Sequence, residues 1–267
     1  MEKITELIRN LNEFSFSFEV TPDVNRGDLD GLNIKPLFFS ITWHAKKYEM
    51  TDLNIPPIQL AEFLRDKQKN VLLHLSCDRL RRAYLNKLLD HLKAKEICNL
   101  LLVRGEGYDS SSSDFKSTSE LITHVRQYSG NYFCIGIVGH ADRNDRYQSL
   151  KLKVDAGADF IITQAFFDVN VYKNFVSEAK KLNINIPTIP GLFPFETREE
   201  LDGFINLCKV HVEENLIEKL VTNTGVTSIK DIATGMYKAM HVKHFHFFTM
   251  NKFNRTANII QEITKAV

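Results

Sequence analysis

Side chains that can move protons or hold anions stand at regular points along this chain, each at or just inside the end of a short apolar run. Glu19 closes FSFSFEV. Strand alternation puts it on the face of Ser15 and Ser17, opposite Phe16 and Phe18. A carboxyl group beside aromatics loses its water, its pKa rises, and it becomes a candidate general acid. The same position also suits one half of a structural ion pair. Thr42-Trp43-His44 follows a second run, and His74 lies inside a third with Ser76 two residues on. A histidine there is either a ligand or a hydrogen-bonded core residue. Arg104-Gly105-Glu106 closes a fourth run. Its guanidinium suits a phosphate or carboxylate, and its glycine lets a ligand approach the backbone. Gln164 ends FIITQ; its amide offers a donor and an acceptor to a heterocycle edge, or bonds to loop backbone. Lys153, within LKLKVDAGADF, is a phosphate contact or a solvated surface lysine.

The elements that must position these groups repeat. Eight short apolar runs, FSFEV (16–20), LFFSIT (37–42), VLLHLS (71–76), LLLVRGE (100–106), FCIGIVG (133–139), FIITQ (160–164), IPTIPG (186–191) and FHFFTMN (245–251), alternate with stretches of mostly helical pattern. Eight strand–helix units predict a (β/α)8 TIM barrel, an α/β fold whose active site lies where strands end and loops begin. Pro56-Pro57 opens one helix, and Asp78 precedes another in which Leu80, Tyr84, Leu88 and Leu92 share a face. Asp109-SSSS-Asp114 reads as a flexible loop, Asn144 or Asp145 as a cap for RYQSLKLKVDAG, and Thr197 with Glu200 as a capping box. Two more helices are expected near 211–221 and 226–241. MEKITELIRNLNEF reads as an amphipathic N-terminal helix and not as a signal peptide. No linker or composition break appears, so residues 1–267 are expected to form a single domain.

Composition excludes several classes. With 267 residues, 43% hydrophobic and 25% charged, the chain matches one soluble barrel. A formal net charge of +1 gives no bulk field toward nucleic acid or an anionic membrane. No run approaches the ~20 apolar residues of a spanning helix. Cys77, Cys98, Cys134 and Cys208 show no CxxC spacing and are expected to be reduced thiols of a cytoplasmic protein. His244-x-His246 shares a strand face, but packing or hydrogen bonding is its expected role, and no metal is expected.

Taken in order, FSFEV, SITWH, LLHLSC, LLVRGE, LKLKVDAGADFIITQAFFD, IPTIPGLFP and HFFTMN resemble the catalytic domain of the methylenetetrahydrofolate reductase family, from about Phe14 to Ile260. The resemblance implies a barrel that binds FAD in its mouth and reduces 5,10-methylenetetrahydrofolate to 5-methyltetrahydrofolate with NADH or NADPH. By the same resemblance Glu19 is the acid that protonates folate N10, and Gln164 holds the pterin. Thr42, His74 and Arg104 surround the flavin and its phosphates, with Lys153 near the pyrophosphate. Glu106 is implied as a catalytic and cofactor residue, His140 as a cofactor residue, and Arg198 and Lys252 as residues of the substrate side. The chain departs from the family pattern at Glu106, where aspartate is usual, and in the segment Gly139–Asp145. It departs again at Ser149 and Leu152, which replace an asparagine and an arginine facing the FAD phosphates, and at Arg198, near a pterin-stacking aromatic. Arg143 and Arg146 stand close enough in sequence to supply the missing arginine's charge. These departures keep two alternatives open: a flavin-free folate reductase, and a catalytically weak folate- or flavin-binding protein acting with a partner. A homo-oligomer is compatible with all three.

Overall fold

In the computed structural model, residues 2–48, 50–105, 107–143 and 146–267 are described. Each apolar run becomes a strand: β1 (Ser15–Val20), β2 (Phe39–Ile41), β3 (Val71–Ser76), β4 (Asn99–Val103), β5 (Cys134–Gly139), β6 (Phe160–Ala165), β7 (Thr188–Leu192) and β8 (His244–Phe248). They pair in chain order, all parallel, and close as β1-β2-β3-β4-β5-β6-β7-β8. The closing seam pairs Ser15 with His244, Ser17 with His246 and Glu19 with Phe248. The fold is the expected single-domain α/β barrel.

Helices fill the crossovers: α2 (Arg26–Asp30), α3 (Pro56–Asp66), α4 (Arg82–Ala94), α5 (Thr118–Ser129), α6 (Tyr147–Asp155), α7 (Val169–Lys181), then α8 (Arg198–Cys208), α9 (Glu214–Thr222) and α10 (Gly225–Met240) before β8, and α11 (Phe253–Ala266) after it. The N-terminal helix α1 is only Ile4–Arg9, shorter than the amphipathic pattern, because the alternating FSFSF segment leaves it to join the sheet. Asp78 does not cap α4. That helix starts at Arg82 with no side-chain cap, and Asp78 is buried among loop donors described below. The expected cap residues Asn144 and Asp145 lie outside the described residues. Thr197 caps α8 by accepting from the Glu200 backbone N–H, but the Glu200 carboxylate reaches past it to the N–H of Glu196.

Alternation along each strand builds two apolar layers. Outward-facing Phe18, Leu73, Leu102, Ile137 and Phe247 belong to the large core between sheet and helices. Inward-facing Phe38, Leu72, Leu101, Cys134, Phe160, Ile162 and Ile189 fill the lower barrel, and Ile4 of α1 closes it from beneath. Asn99 ties that plug down, accepting from the Ile4 backbone N–H at 2.9 Å. The interior leaves no room at β5. A Cβ on Gly136 would stand 2.4 Å from the Phe160 ring, so the glycine exists to admit the phenyl group.

Filling that space is therefore costly. Gly136→Ala is expected to destabilise the protein by about 1–3 kcal/mol, the range for overpacking a filled core. Urea unfolding should show a lower midpoint with an unchanged slope. An unchanged midpoint would mean that the Phe160 ring has somewhere else to go.

Candidate functional site

Four groups sit at inward positions near the upper strand ends. These are Glu19 on β1, Ser40 on β2, His74 on β3 and Gln164 on β6. Register places Glu19 beside Ser40 on one side and Phe248 on the other. Glu19 has no hydrogen-bond or ion-pair partner for its carboxyl group among the described residues, so the ion-pair alternative lacks its second half. Its backbone carbonyl, by contrast, is fixed by the Thr249 hydroxyl. Loss of water without a compensating charge pushes the Glu19 carboxyl up to about 8.

Beneath this layer the interior is polar on one side. Ser15 Oγ lies 2.7 Å from His244 Nδ1, His244 Nε2 lies 3.0 Å from Ser17 Oγ, and Ser17 Oγ lies 2.8 Å from His246 Nδ1. His74 Nε2 meets Ser40 Oγ at 2.6 Å. Burial holds all three imidazoles neutral, with His74 and His244 pushed down to about 3 and His246 well below its ordinary value. The His244-x-His246 pair is thus satisfied by serines, and no metal-binding cluster occurs among the described residues. Thr42 is buried just past β2, its hydroxyl directed at the Val20 carbonyl.

Beside the mouth, over the ends of β4, β5 and β6, lies a cavity of about 640 Å³. Arg104, Lys116, Arg143, Arg146 and Lys153 line it, and no carboxylate does among the described residues. The start of α5 forms part of its wall through Ser117, Thr118 and Ser119. A helix N-terminus presents unpaired N–H groups and partial positive charge there. Lys153 is held below its ordinary pKa, first by burial and then by Arg146; His140 is pushed down to about 4 by burial and then by Lys153. Arg143 also pairs with Asp142 at 3.6 Å, but the cavity wall itself carries no described acid, and such a cluster of cations suits an anion. Gln164 lines the inner wall; its Oε1 accepts from the Ala165 N–H at 3.2 Å, while its NH2 group has no partner among the described residues.

The floor of this cavity is shaped by Gly105, at φ +94°, where a Cβ would lie 2.2 Å from Ser76 Oγ. Ser76 donates to the Arg104 carbonyl at 3.2 Å and accepts from the Asp78 N–H at 3.0 Å. Arg104 then stacks over Tyr108, 4.9 Å from the ring centre. The serine-rich loop, expected to be flexible, is pinned instead. Ser113 is buried and donates to the Cys77 carbonyl at 2.6 Å, and Asp78 accepts from the Asp109 N–H at 3.4 Å.

Arg104, His140, Lys153 and Gln164 are thus brought to one cavity, with Glu19, Thr42 and His74 at the neighbouring strand ends. Glu106 lies outside the described residues. Arg198 and Lys252 do not line the cavity. Arg198 pairs with Asp202 at 3.3 Å and with Glu214; Lys252 pairs with Glu200, which Arg255 also holds. Leu152 is 62% exposed and off the cavity, whereas Ser149 lines it. Sequence reasoning missed Lys116, Tyr108 and the α5 N-terminus. The legible signal was Ser117-x-x-Glu120, a capping-box spacing; Ser117 does accept from the Glu120 N–H, although the Glu120 carboxylate bonds to the N–H of Lys116.

The family model for methylenetetrahydrofolate reductase matches residues 4–264. Methylenetetrahydrofolate reductase 2 of Schizosaccharomyces pombe is 30% identical, aligned over 97% of this chain and 47% of its own length. Methylenetetrahydrofolate reductase (NADH) 1 of Arabidopsis thaliana is 26% identical over 98% of this chain and 50% of its own. The chain therefore spans about half the length of these relatives. A solved structure of an uncharacterized protein from Clostridium thermocellum, which binds two copies of 5-methyl-5,6,7,8-tetrahydrofolic acid, has the same fold, with a TM-score of 0.70, 15% identity and 98% of each chain covered. No helix of the described residues is long and apolar enough to cross a membrane.

The raised Glu19 pKa has a thermodynamic consequence that needs no ligand. Between an ordinary value of 4.5 and a folded value of about 8, the folded state binds more protons than the unfolded one. Stability contributed by the neutral carboxyl is full below that window and is lost as pH rises through it. Glu19→Gln removes the titration. The melting temperature of the variant should therefore gain on that of the parent as pH goes from about 5 to about 9. A gap independent of pH would show that Glu19 keeps its water in the folded protein.

Proposed function

The chain belongs to the methylenetetrahydrofolate reductase family, and from that premise we propose that it reduces 5,10-methylenetetrahydrofolate to 5-methyltetrahydrofolate, with FAD as cofactor and NADH or NADPH as co-substrate. The observation that carries the reading is Glu19. It is a carboxyl group without a counter-charge, mostly protonated near pH 7, at the mouth of a barrel whose adjoining cavity is cationic. Folate binding by the Clostridium thermocellum protein of the same fold agrees with it.

The cavity residues fit a dinucleotide. Five cations and a helix N-terminus suit a pyrophosphate. Lys153, Arg143, Arg146 and the α5 N-terminus would hold the phosphates, with Thr42, His74 and Arg104 toward the ring system. FAD, when bound, supplies the acceptor for the nicotinamide hydride and its donor to the folate methylene. The protein's part is the proton. Glu19 donates to folate N10, the bond from N10 to the methylene carbon breaks, and the cation left on N5 and that carbon is the form that takes a hydride. Gln164, with its free NH2, pairs with the pterin edge. Arg198 and Lys252 would reach substrate only by giving up their ion pairs with Asp202, Glu214 and Glu200.

The flavin-free alternative draws on Leu152, whose side chain points away from the cavity and offers no charge to a phosphate. Arg143, which also pairs with Asp142, and Arg146 line the same cavity from the segment before α6 and offer guanidinium groups in its place. The absorbance spectrum decides between the two. The purified protein should be yellow or take up added FAD; a protein that stays colourless at saturating FAD and still oxidises NAD(P)H with folate is the flavin-free enzyme. Pterin binding by calorimetry without turnover identifies a binding protein.

Two variants separate the roles. Lys153→Ala should weaken FAD about tenfold in a flavin-fluorescence titration, the loss of one charged contact, with the difference shrinking at high salt. Affinity unchanged in Lys153→Ala would move the phosphates elsewhere. Glu19→Gln should slow folate reduction by about 10² or more while nicotinamide-dependent flavin reduction stays near normal, both read by stopped flow. Equal damage to both half-reactions would make Glu19 structural.

A further inference from the structure

The turn that follows β8 takes a shape its sequence does not favour. Met250 and Asn251 both adopt left-handed backbone, at φ 48° and 57°, and the Lys252 N–H donates to the Thr249 carbonyl at 2.9 Å to close the turn. Such a turn suits asparagine or glycine at its two central positions, and methionine is an exception. Strain of this kind persists where the surroundings hold it, and it collects at functional sites. Here the surroundings are the end of β1, where Glu19 stands.

We infer that Asn251 is a positioning residue for Glu19: through bonds to Thr249 and Thr21 it clasps the backbone that carries the acid. The inference rests on the reading of Glu19 as the proton donor and adds the residue that places it. Glu19 is the last residue of β1 in register with β8. Beyond it the ladder between these two strands stops and side chains take over. The buried Thr249 hydroxyl donates to the Glu19 carbonyl and accepts from the Asn251 N–H at 3.1 Å. Asn251 Oδ1 accepts from the Thr21 N–H at 3.0 Å, and its NH2 group donates to the Thr21 hydroxyl at 2.5 Å. That hydroxyl gives its own proton to Asp23, so only this orientation of the amide serves both partners. The strand is thus fixed at Glu19 itself and again two residues on. The Glu19 carboxyl has no hydrogen-bond partner among the described residues, so hydrogen bonding orients it only through its backbone. The ordinary task of an asparagine here would be to cap the next helix. Helix α11 begins at Phe253 with no side-chain cap, and the Asn251 amide turns back to β1 instead.

Asn251→Gly tests the clasp, because glycine accepts the left-handed turn and only the amide is lost. In stopped flow, folate reduction should slow about tenfold, the scale of a misplaced catalytic group, while nicotinamide-dependent flavin reduction stays within about twofold of the parent. A second readout needs no cofactor. The melting temperature of Glu19→Gln is compared with that of the parent from about pH 5 to about pH 9, and the same comparison is made in the Asn251→Gly background. A carboxyl released toward water titrates closer to its ordinary value, so the growth of the gap with pH should fall by about half or more. Loss of a merely structural bond would lower melting equally across that range and leave the gap as it was. If Asn251→Gly fails to fold, Thr249→Val and Thr249→Ser carry both comparisons, with valine giving the loss and serine, which keeps the hydroxyl, restoring the parent's behaviour. An undiminished gap, or equal damage to both half-reactions, overturns the inference. If Glu19→Gln itself spares folate reduction, the reading of Glu19 as the acid fails, and the melting comparison still decides whether Asn251 places that carboxyl.

Discussion

The pairing of β1 with β8 is the contact on which the rest depends. It joins residues about 230 positions apart, as in the bond from Thr249 to Glu19, and without it the sheet is an open, edge-exposed ribbon. Closure also creates the inside. Ser15, Ser17 and Glu19 on one strand, and His244, His246 and Phe248 on the other, become a single surface only when the seam forms. Asn251 reinforces it from the loop beyond β8, accepting from the Thr21 N–H at 3.0 Å. The proton donor proposed for the chemistry thus has its surroundings only once the seam is closed.

The polar half of the interior follows from that closure. Burying three imidazoles and three serine hydroxyls would be costly if any were unsatisfied. They satisfy one another, in a chain from Ser15 to His246 and in the pair of His74 with Ser40. Glu19 is the exception at the top of this stack, left without a partner and therefore pushed toward its neutral form. The stability given up there is what makes the group available to a ligand.

Much of this was legible in the sequence. The eight apolar runs became eight strands with ends shifted by few residues, because β-branched and aromatic residues bounded by turn signals leave little choice of period. Glu19 and Gln164 were legible because alternation fixes which face an inward strand residue takes. What stayed hidden depends on spatial neighbours. Asp78 looked like a helix cap, and only the folded loop shows it accepting from Asp109 and Ser112 instead. Arg198 and Lys252 carry charge suited to a folate, but Asp202, Glu214 and Glu200 occupy them, and no spacing announces acids 16 or 52 residues away. The α5 wall was hidden because its binding groups are backbone N–H groups, which every sequence has.

The departures at Ser149 and Leu152 fall where physics is forgiving. Proton transfer works only within hydrogen-bond reach, so a general acid cannot move by even one residue along a strand without facing the other way. Attraction between a cation and a phosphate falls only as the inverse of distance, and a flexible guanidinium can reach the same anion from several backbone positions. A leucine at position 152 is therefore compatible with phosphate binding once Arg143 and Arg146 line the cavity from the preceding segment. A glutamine in place of Glu19 would have no such substitute, because no other described carboxyl group stands at an inward strand-end position without a partner. The cationic wall can be redistributed among helices and loops; the proposed acid is fixed by the seam.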